Sequence, residues 1–392
     1  MHPDRPAGRN PARGRQTAVT ATQRSRWGRL AWALVLVLAM VTLAACGGGG
    51  TSSQGGGSAQ PSGQDSAAEE PAETGAEPQP EPVEPIDVTI GIGGQGSLVY
   101  LITTLAQQLG YYEEEGLNVE LVDFQGGSRA LEALLGGSVD VVSGFYDHTI
   151  QLAAQGRQLK AFVTMLRYPG LVLIVSPATS KNIQSIEDLK GAIVGVTSPG
   201  SSSHLFVNYL LVKHGLTPDD VSATAIGTTS SAIAAMEQGQ VDVGSMIDPA
   251  VTQLLNRHPE ARILADTRTG EGVREVFGTE TYPAAVFYTD AAWLERNPEA
   301  ARRLARAVVR ALEWFHSHSS QEVADAMPAE FRGEDPDLYV AAIEQVRQMF
   351  TTDGRMEPDG PEAVKEVLSM FIEEVGQADI DVTQTYTNEF LP

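Results

Sequence analysis

The chain has 392 residues and carries 50 aspartates and glutamates against 27 lysines and arginines, a formal net charge of −23 at pH 7. This acidic balance argues against a nucleic-acid partner, because binding to phosphates requires a basic surface. The single cysteine, Cys46, excludes a framework of intramolecular disulfides. A folded domain of this size must therefore be held together by a large apolar core.

The first 45 residues have the layout of a bacterial export signal. Seven arginines and one aspartate precede an uncharged, mostly aliphatic run at residues 30–45. A basic region, an apolar region and then small residues are typical of a cleaved signal. The run leads into Leu43-Ala44-Ala45-Cys46, which resembles a lipobox, so Cys46 is the predicted lipidated first residue of the mature chain. An uncleaved membrane anchor is the alternative, but the run is shorter than the roughly 20 residues that span a bilayer.

The next segment, residues 46–86, is a predicted flexible tether. Its first half is rich in glycine and serine and its second half in proline and glutamate, without any aromatic residue. Such a composition cannot bury enough apolar surface to offset the entropy of ordering the chain. Without residues 1–45 the net charge becomes 20 − 49 = −29. Anionic lipid should repel such a protein, so we expect the lipid on Cys46 to hold it at the membrane.

Strands and helices alternate after the tether, which predicts an α/β protein. A first series starts with a strand at 87–93 and a helix at 97–109, and it reaches its third strand at GSVDV, residues 137–141. A second series in the same order starts with a strand at 192–197 and reaches GQVDV at 239–243. Because about 300 residues exceed the usual size of one core, the duplication predicts two Rossmann-like lobes.

Two segments are the predicted crossings between the lobes. Residues 159–177 indicate a strand, a Tyr-Pro-Gly turn and a second strand, and residues 282–289 indicate a returning strand. The predicted division is 87–176 plus 282–385 for lobe 1 and 177–281 for lobe 2, with a two-segment hinge near Ser176–Pro177 and Thr281–Tyr282. Beyond the return, helices alone are expected, at 298–316, 336–350 and 361–375.

The loops that follow the strands are the predicted binding cleft. In open α/β sheets, ligands bind beyond the carboxyl ends of the strands, and two facing lobes would bring both sets of loops together. Small residues allow close backbone approach, and each loop opens a helix whose N-terminus favours an anion. The candidate ligand contacts are Gln95, Ser97, Gly127, Ser128, Tyr146, Asp147, Thr197, Ser198, Ser201, Ser202, Asp248 and Tyr282.

Helix capping is the alternative role for each of these serines and for the two aspartates. Asp147 and Asp248 each end a predicted strand and begin a helix, and Pro249 at a first helical position favours capping by Asp248. A carboxylate that faced the cleft would instead select a ligand with a cation or a hydrogen-bond donor. Aromatic residues that could stack on a flat ligand are Phe145, Tyr146, Tyr282 and Tyr288.

Signals of catalysis are weak in this chain. His316 and His318 are two apart on a predicted helix and point to different faces, which makes them poor metal ligands. His148 and His204 lie in cleft loops without an obvious nucleophile as partner. The sequence has no Gly-x-Ser-x-Gly elbow, no phosphate loop with lysine and no His-Glu-x-x-His. We therefore expect no enzymatic activity, no metal and no cofactor.

The segments GVTSPGSSSHLFVNYLLVKHGL, residues 195–216, and GQVDVGSMIDPAV, residues 239–251, resemble a known family. They are similar to the substrate-binding proteins of nitrate-, sulfonate- and taurine-type ABC importers, which also include carriers of thiamine-precursor pyrimidines. The resemblance covers residues 87–375. It implies a type II periplasmic-binding fold, hinge closure on a small molecule, and delivery to a permease with its ATPase. It also implies the cleft positions named above, apart from Asp147 and Tyr282.

Together these features predict a lipid-anchored, monomeric solute-binding protein at the outer face of a bacterial cell membrane. Its ligand is either a small oxoanion such as a sulfonate or nitrate, held by helix N-termini, or a flat nitrogen heterocycle, held by tyrosines and a carboxylate. Only Arg129 and Arg167 lie near cleft loops, which weakens the case for an anion. The alternatives are a pyrimidine-synthesising enzyme on the same fold and an envelope ligand sensor without a transporter.

Overall fold

Two five-stranded sheets organise the chain in the computed structural model, which describes residues 84–333 and 335–392. Cys46, the predicted signal and the predicted tether up to residue 83 lie outside the described residues. The strands are β1 Ile86–Ile92, β2 Leu117–Asp123, β3 Val141–Phe145, β4 Leu159–Thr164, β5 Val172–Val175, β6 Ile193–Val196, β7 Ser222–Ala225, β8 Val243–Met246, β9 Ile263–Asp266 and β10 Ala285–Asp290.

The two sheets share one strand order, and each defines a lobe. The first lobe contains the order β2-β1-β3-β10-β4, and the second lobe contains β7-β6-β8-β5-β9. The three leading strands of each sheet are parallel, whereas β10 is antiparallel to β3 and β5 is antiparallel to β8. This common order confirms the predicted α/β fold with two Rossmann-like lobes.

The crossing between the lobes involves two neighbouring segments. β5 pairs with β8 and β9, although the predicted division assigns its residues to lobe 1. We therefore propose that the chain crosses within residues 165–171, before Ser176–Pro177, and returns within 281–284. The segments run side by side, since the Tyr282 N–H donates to the Arg167 carbonyl (2.9 Å) and the Ala284 N–H to the Leu166 carbonyl (3.0 Å). Such a pair of adjacent segments is suited to act as a hinge.

Helices connect the strands and dominate the region after β10. They are α1 Leu101–Gln108, α2 Tyr111–Glu114, α3 Gly127–Leu135, α4 Asp147–Ala154, α5 Ser202–Lys213, α6 Ser230–Glu237, α7 Ala250–Arg257, α8 Gly270–Phe277, α9 Ala291–Arg296, α10 Pro298–Ser317, α11 Ser320–Ala326, α12 Pro336–Val346, α13 Asp359–Ser369 and α14 Glu373–Gln377. The predicted helix at 361–375 is thus two helices, α13 and α14. Within the ranges 84–333 and 335–392, no helix combines the length and the apolar character needed to cross a membrane.

The longest helix, α10, has the two faces that its sequence predicts. Its apolar residues are buried in the core of the first lobe, namely Leu304, Val308, Leu312 and Phe315. On its other face, Arg306 forms an ion pair with Glu115 at 2.7 Å, and Arg310 pairs with Glu114 and Glu115. The arginines therefore serve the docking of α10 on the α1–β2 connection, and partly exposed pairs of this kind contribute little stability each.

The C-terminal tail completes the edge of the first sheet. The Ala161 N–H of β4 donates to the Thr385 carbonyl (2.9 Å), and the Thr387 N–H donates to the Ala161 carbonyl (2.8 Å). The tail thereby covers backbone groups that an edge strand would otherwise expose. We therefore propose that the first lobe extends beyond residue 385.

Candidate ligand-binding cleft

Loops from both lobes meet at the carboxyl ends of the strands. Ser128, in the first turn of α3, contacts the loop after β6: its N–H donates to Ser201 Oγ (3.1 Å), and its hydroxyl lies 2.7 Å from Ser198 Oγ. The Ser128 hydroxyl also donates to the Pro199 carbonyl (3.0 Å). A Cβ atom on Gly126 would collide with the Ser198 side chain, so the glycine permits this close approach. The serines that the sequence singled out therefore join the two lobes.

A second contact between the lobes lies near the start of α1. The Leu98 N–H donates to the Asp248 carbonyl at 2.8 Å. Close by, Gly94 has a φ of +137°, and an added Cβ would lie 2.7 Å from Thr228 Cγ2. Only glycine adopts this backbone conformation readily and leaves room for the threonine. The two lobes are thus in contact on both sides of the cleft.

Two small cavities lie in the interior of the cleft, with volumes of about 20 and about 10 Å³. Both are lined by Phe145, Leu171 and Ser202, so they are neighbouring parts of one space. The larger is also lined by Tyr100, Gly127, Thr197 and Ser201, and the smaller by Asp147, Phe206, Phe277 and Tyr282. Since one water molecule requires roughly 10–15 Å³, a larger ligand can enter only if the lobes separate.

Asp147 is the carboxylate inside this space. It is the first residue of α4, and its side chain is only 3% exposed. The Ser202 hydroxyl, on the first residue of α5 in the opposite lobe, donates to Asp147 Oδ1 at 2.8 Å. Burial raises the pKa of Asp147, and the neighbouring His148 and the Ser202 hydrogen bond counteract this rise only in part. Among the described residues, no lysine or arginine forms an ion pair with it.

Asp248 occupies a comparable position in the second lobe but has different partners. Its Oδ1 accepts hydrogen bonds from the Thr252 N–H (2.9 Å) and the Thr252 hydroxyl (2.7 Å) in the first turn of α7. Its Oδ2 forms an ion pair with Arg268 (3.2 Å), which also binds Asp266 at 2.6 Å. The carboxylate of Asp248 therefore caps a helix and balances a buried arginine. The sequence reasoning missed Arg268, which follows β9 and carries no local motif.

The charge of Asp147 acts on three buried tyrosines. Burial raises the pKa of Tyr100, Tyr282 and Tyr288, and the negative charge of Asp147 raises it further in each. These phenols therefore remain neutral at physiological pH. Tyr282 stacks on Phe277 with ring centres 4.2 Å apart, which fixes one aromatic wall of the cleft.

His148 lies behind the cavity wall. Its side chain is buried, and its Nδ1 lies 3.2 Å from the Tyr288 hydroxyl. Its Nε2 has no hydrogen-bond partner in the described part of the chain. The ring also approaches Gly127, where an added Cβ would lie 3.2 Å from His148 Cε1. A buried nitrogen without a partner is uncommon and indicates a group that a ligand or a water could satisfy.

Some of the predicted contacts face elsewhere. The hydroxyl of Tyr146 is hydrogen-bonded to Thr385 of the C-terminal tail and does not line either cavity. The side-chain amide of Gln95 donates a hydrogen bond to the Thr104 hydroxyl (3.4 Å), outside the cleft interior. Ser97 is buried beside the Leu98–Asp248 contact, and its hydroxyl has no partner among the residues described.

Apart from Asp248, described above, the other predicted contacts fall into two groups. Those that line the cavities are Gly127, Asp147, Thr197, Ser201, Ser202 and Tyr282. Those that join the lobes outside the cavities are Ser128 and Ser198. Sequence reasoning did not identify Tyr100, Leu171, Phe206, Phe277, Leu368 and Phe371, which complete the apolar walls. These residues come from several distant segments, and each is indistinguishable in sequence from an ordinary core residue.

The histidines on α10 have structural partners. His316 Nε2 lies 3.0 Å from the Thr351 carbonyl, and His318 Nδ1 lies 2.8 Å from the Trp314 carbonyl. His204, near the cleft, accepts a hydrogen bond from the Gly200 N–H (3.1 Å) and so supports the serine loop. Across residues 84–333 and 335–392, no group of three or more histidine, cysteine or acidic side chains could hold a metal ion.

Two larger cavities lie outside the cleft interior. One, of about 260 Å³, lies at the rim between Asp123, Thr229 and Phe331. The other, of about 610 Å³, is an open groove confined to the second lobe, between His214 and Ile263. The groove contains none of the predicted contacts, and movement of the lobes cannot enclose a ligand there. The space between the lobes is therefore a better candidate than this groove despite its small volume.

Solved structures share this fold. A protein of Bordetella bronchiseptica RB50 is 38% identical, with a TM-score of 0.75 over 78% of this chain and 95% of that chain. The alkanesulfonate-binding protein SsuA of Xanthomonas axonopodis pv. citri, bound to MOPS, is 20% identical, with a TM-score of 0.59 over 78% of this chain and 99% of that chain. These similarities confirm the predicted periplasmic-binding fold.

Sequence comparisons point to the same group. The family model described as NMT1/THI5 like matches residues 99–322. The binding protein YtlA of Bacillus subtilis (strain 168) is 23% identical over 260 residues, 65% of this chain and 74% of YtlA. The 4-amino-5-hydroxymethyl-2-methylpyrimidine phosphate synthase of Aspergillus parasiticus is 26% identical over 237 residues, 57% of this chain and 66% of the synthase. The match therefore spans just under two thirds of the synthase.

Proposed function

The chain belongs to the NMT1/THI5-like family, and from this premise we propose that it is an extracytoplasmic solute-binding protein of an ABC importer. In this role it captures a small molecule between its lobes and delivers it to a membrane permease, without catalysing a reaction. SsuA, a binding protein by name, shares its fold, and YtlA is a named binding protein similar in sequence. A sulfonate- or nitrate-like anion and a pyrimidine-type heterocycle are the alternative ligand classes for the cleft.

One observation carries this proposal: the cleft residues of the two lobes bond to each other. The Asp147–Ser202 contact and the Ser128–Ser198 contact both join the first lobe to the second. Two adjacent chain segments, 165–171 and 281–284, connect the lobes and allow a hinge motion. A ligand that contacts both lobes would favour the closed form over the open form, which is how binding can be signalled to a permease.

We further propose that a lipid on Cys46 holds the protein at the outer face of a bacterial membrane. The support comes from the sequence: the lipobox-like Leu43-Ala44-Ala45-Cys46 follows a basic and an apolar segment. An acidic tether would then let the folded domain reach a neighbouring permease. Metabolic labelling with a radioactive fatty acid should label the wild-type protein and leave the Cys46→Ser variant unlabelled. Equal labelling of both would contradict the anchor.

A pyrimidine-synthesising enzyme is the second candidate, because relatives include proteins named as pyrimidine phosphate synthases. An enzyme would convert its bound molecule, whereas a binding protein should release it unchanged. Incubation of the purified protein with each bound compound, followed by mass spectrometry, separates the two functions. Recovery of the unaltered compound supports binding, and a new product supports the enzyme.

An envelope sensor without a transporter is the remaining alternative. Such a sensor would bind the compound equally well, but deletion of the gene for this protein would leave uptake of the compound unaffected.

A thermal-shift screen tests the binding function directly. The full-length Cys46→Ser protein is screened against sulfonates, nitrate, pyrimidines and small amines. A ligand at 100 times its Kd adds about 2.7 kcal/mol of stability, which raises Tm by about 4 °C for a domain of about 300 residues. Hits are verified by calorimetry. Failure of every class to bind in both assays would contradict the proposed function.

A further inference from the structure

The interior of the cleft holds the carboxylate of Asp147, which pairs with no lysine or arginine of the described residues. Asp147 is buried, and Ser202 is the one side chain that hydrogen-bonds its carboxylate in the described structure. An ionised carboxylate that is removed from water without a counter-ion costs considerable free energy. The second lobe avoids this cost, because Arg268 balances Asp248. Asp147 is thus arranged for a positive partner that comes from outside the chain.

Two helix N-termini of the cleft, those of α3 and α5, already face polar groups of the protein. At the start of α5, the carboxylate of Asp147 accepts a hydrogen bond from the Ser202 hydroxyl. This carboxylate also supplies the negative charge that the N-terminus of a helix favours. At the start of α3, the Ser128 N–H donates to Ser201 Oγ. A sulfonate or nitrate would have to displace these bonds and would then lie beside a carboxylate. Both effects oppose the binding of an anion.

Aromatic rings form the remaining walls. Tyr100 and Tyr282 line the cavities together with Phe145 and Phe277, and Tyr282 lines the smaller cavity together with Asp147. The faces of such rings attract cations, by about 2 kcal/mol or more where water is excluded. The carboxylate of Asp147 and the faces of these rings therefore both favour a positively charged atom in the ligand.

From these observations we infer that the cleft selects a small molecule through a positively charged or N–H-bearing nitrogen placed between Asp147 and the aromatic walls, and that it rejects oxoanions. The inference rests on the proposed solute-binding function and names the ligand chemistry of the same cleft. Tyr100, which lines the larger cavity, can offer its hydroxyl to the rest of the ligand.

Calorimetry with chemically defined probes tests this inference. Choline provides a cation without N–H groups, agmatine a cation with N–H groups, and 4-aminopyrimidine a ring with N–H groups that is mostly neutral at pH 7.5. Methanesulfonate and nitrate represent the oxoanions. Each is titrated into full-length Cys46→Ser protein and into two further variants of it, Asp147→Asn and the control Asp140→Asn. Asp140 lies just before the first residue of the same strand, β3. Its carboxylate accepts a hydrogen bond from the Thr89 N–H (2.9 Å).

We expect at least one nitrogen probe to bind, with Asp147→Asn weakening it tenfold or more and Asp140→Asn changing it less than twofold. Binding of choline and agmatine alone would assign the site to cations, and binding of 4-aminopyrimidine alone to neutral N–H donors; both support the inference.

Tight binding of an oxoanion that Asp147→Asn leaves unchanged or strengthens would overturn the inference while the solute-binding function stands. Nitrogen probes that bind both variants equally would also overturn it. If no probe of either class binds, the inference fails, and failure of the wider screen as well would remove the proposed function. Should Asp147→Asn not fold, the preference of the unmutated protein for nitrogen probes over oxoanions still decides.

Discussion

Asp147 and Asp248 lie at matching places in the two lobes and have opposite surroundings. Each is two residues beyond the end of its central parallel strand, β3 or β8, and each is almost fully buried. Asp248 is satisfied within its own lobe by Thr252 and Arg268, whereas Asp147 reaches across the cleft to Ser202. Equivalent positions in a duplicated fold can therefore hold a structural carboxylate in one lobe and a ligand-directed carboxylate in the other.

The largest effect that this comparison predicts is at Arg268. Arg268→Ala leaves the carboxylate of Asp248 buried without its cation, which should lower the free energy of unfolding by about 3 to 5 kcal/mol. Urea unfolding followed by circular dichroism measures this change. The control is Arg274→Ala, which removes an exposed ion pair with Glu280 (2.8 Å) and should cost less than about 1 kcal/mol. Similar losses in the two variants would mean that Asp248 does not depend on Arg268.

Replacing each aspartate by asparagine should change stability in opposite directions. Asp248→Asn removes the charge that balances Arg268 and should lower the free energy of unfolding by about 1 to 3 kcal/mol at pH 7. Asp147→Asn removes an unbalanced buried charge and should raise it by about 1 kcal/mol. A decrease at Asp147 as large as that at Asp248 would show that both carboxylates are structural.

The pH dependence of the free energy of unfolding tests independently whether the charge on Asp147 destabilises the fold. Burial raises the pKa of Asp147 above its value of about 3.9 in the unfolded chain, so the folded state binds the proton more tightly. The stability that comes from this proton is fully present below pH 4 and is lost as the pH rises through the folded-state pKa. The advantage of Asp147→Asn over wild type should therefore be largest near pH 7 and vanish towards pH 4. Denaturant titrations across this range measure it, and an advantage that grows on acidification would contradict the assignment.

A smaller effect is predicted at Tyr146, the residue before Asp147. Its hydroxyl bonds to Thr385 in the tail, so Tyr146→Phe should cost about 1 kcal/mol of stability. Ligand affinity should change less than twofold, because the hydroxyl does not line the cleft cavities. Thr385→Val should reproduce both results. A large loss of affinity in Tyr146→Phe alone would restore Tyr146 as a ligand contact.

The fold could be predicted from the sequence because the same local signals occur twice. The GSVDV and GQVDV segments, at 137–141 and 239–243, mark equivalent turns into β3 and β8, and the glycine-rich loops mark the ends of strands. The sheet that β5 joins was not predictable in this way. Its four residues, VLIV, are compatible with either sheet, and their choice depends on pairing with β8 and β9 far along the chain.

The cleft loops were also predictable, but the role of each side chain was not. Whether Asp248 caps a helix or meets a ligand depends on Arg268, and the orientation of Tyr146 depends on Thr385, which is 239 residues away. The aromatic walls include Phe371, from a helical region with no binding motif. Polar residues in loops carry a local signal, whereas partners that are brought together only by tertiary packing carry none.

A disulfide between the lobes can trap the closed form and so test whether the lobes close on a ligand. Ser128 Oγ and Ser198 Oγ are 2.7 Å apart, and the mature chain has no cysteine besides Cys46, so Ser128→Cys/Ser198→Cys in a Cys46→Ser background offers a single possible disulfide. Mild oxidation is followed by non-reducing gel electrophoresis, with and without a saturating compound from the thermal-shift screen. If the lobes close on the ligand, we expect the compound to increase the rate of disulfide formation several-fold. We also expect the crosslinked protein to exchange bound compound more slowly. A rate of crosslinking that the compound leaves unchanged, or an absence of crosslinking in both conditions, would contradict closure around the ligand.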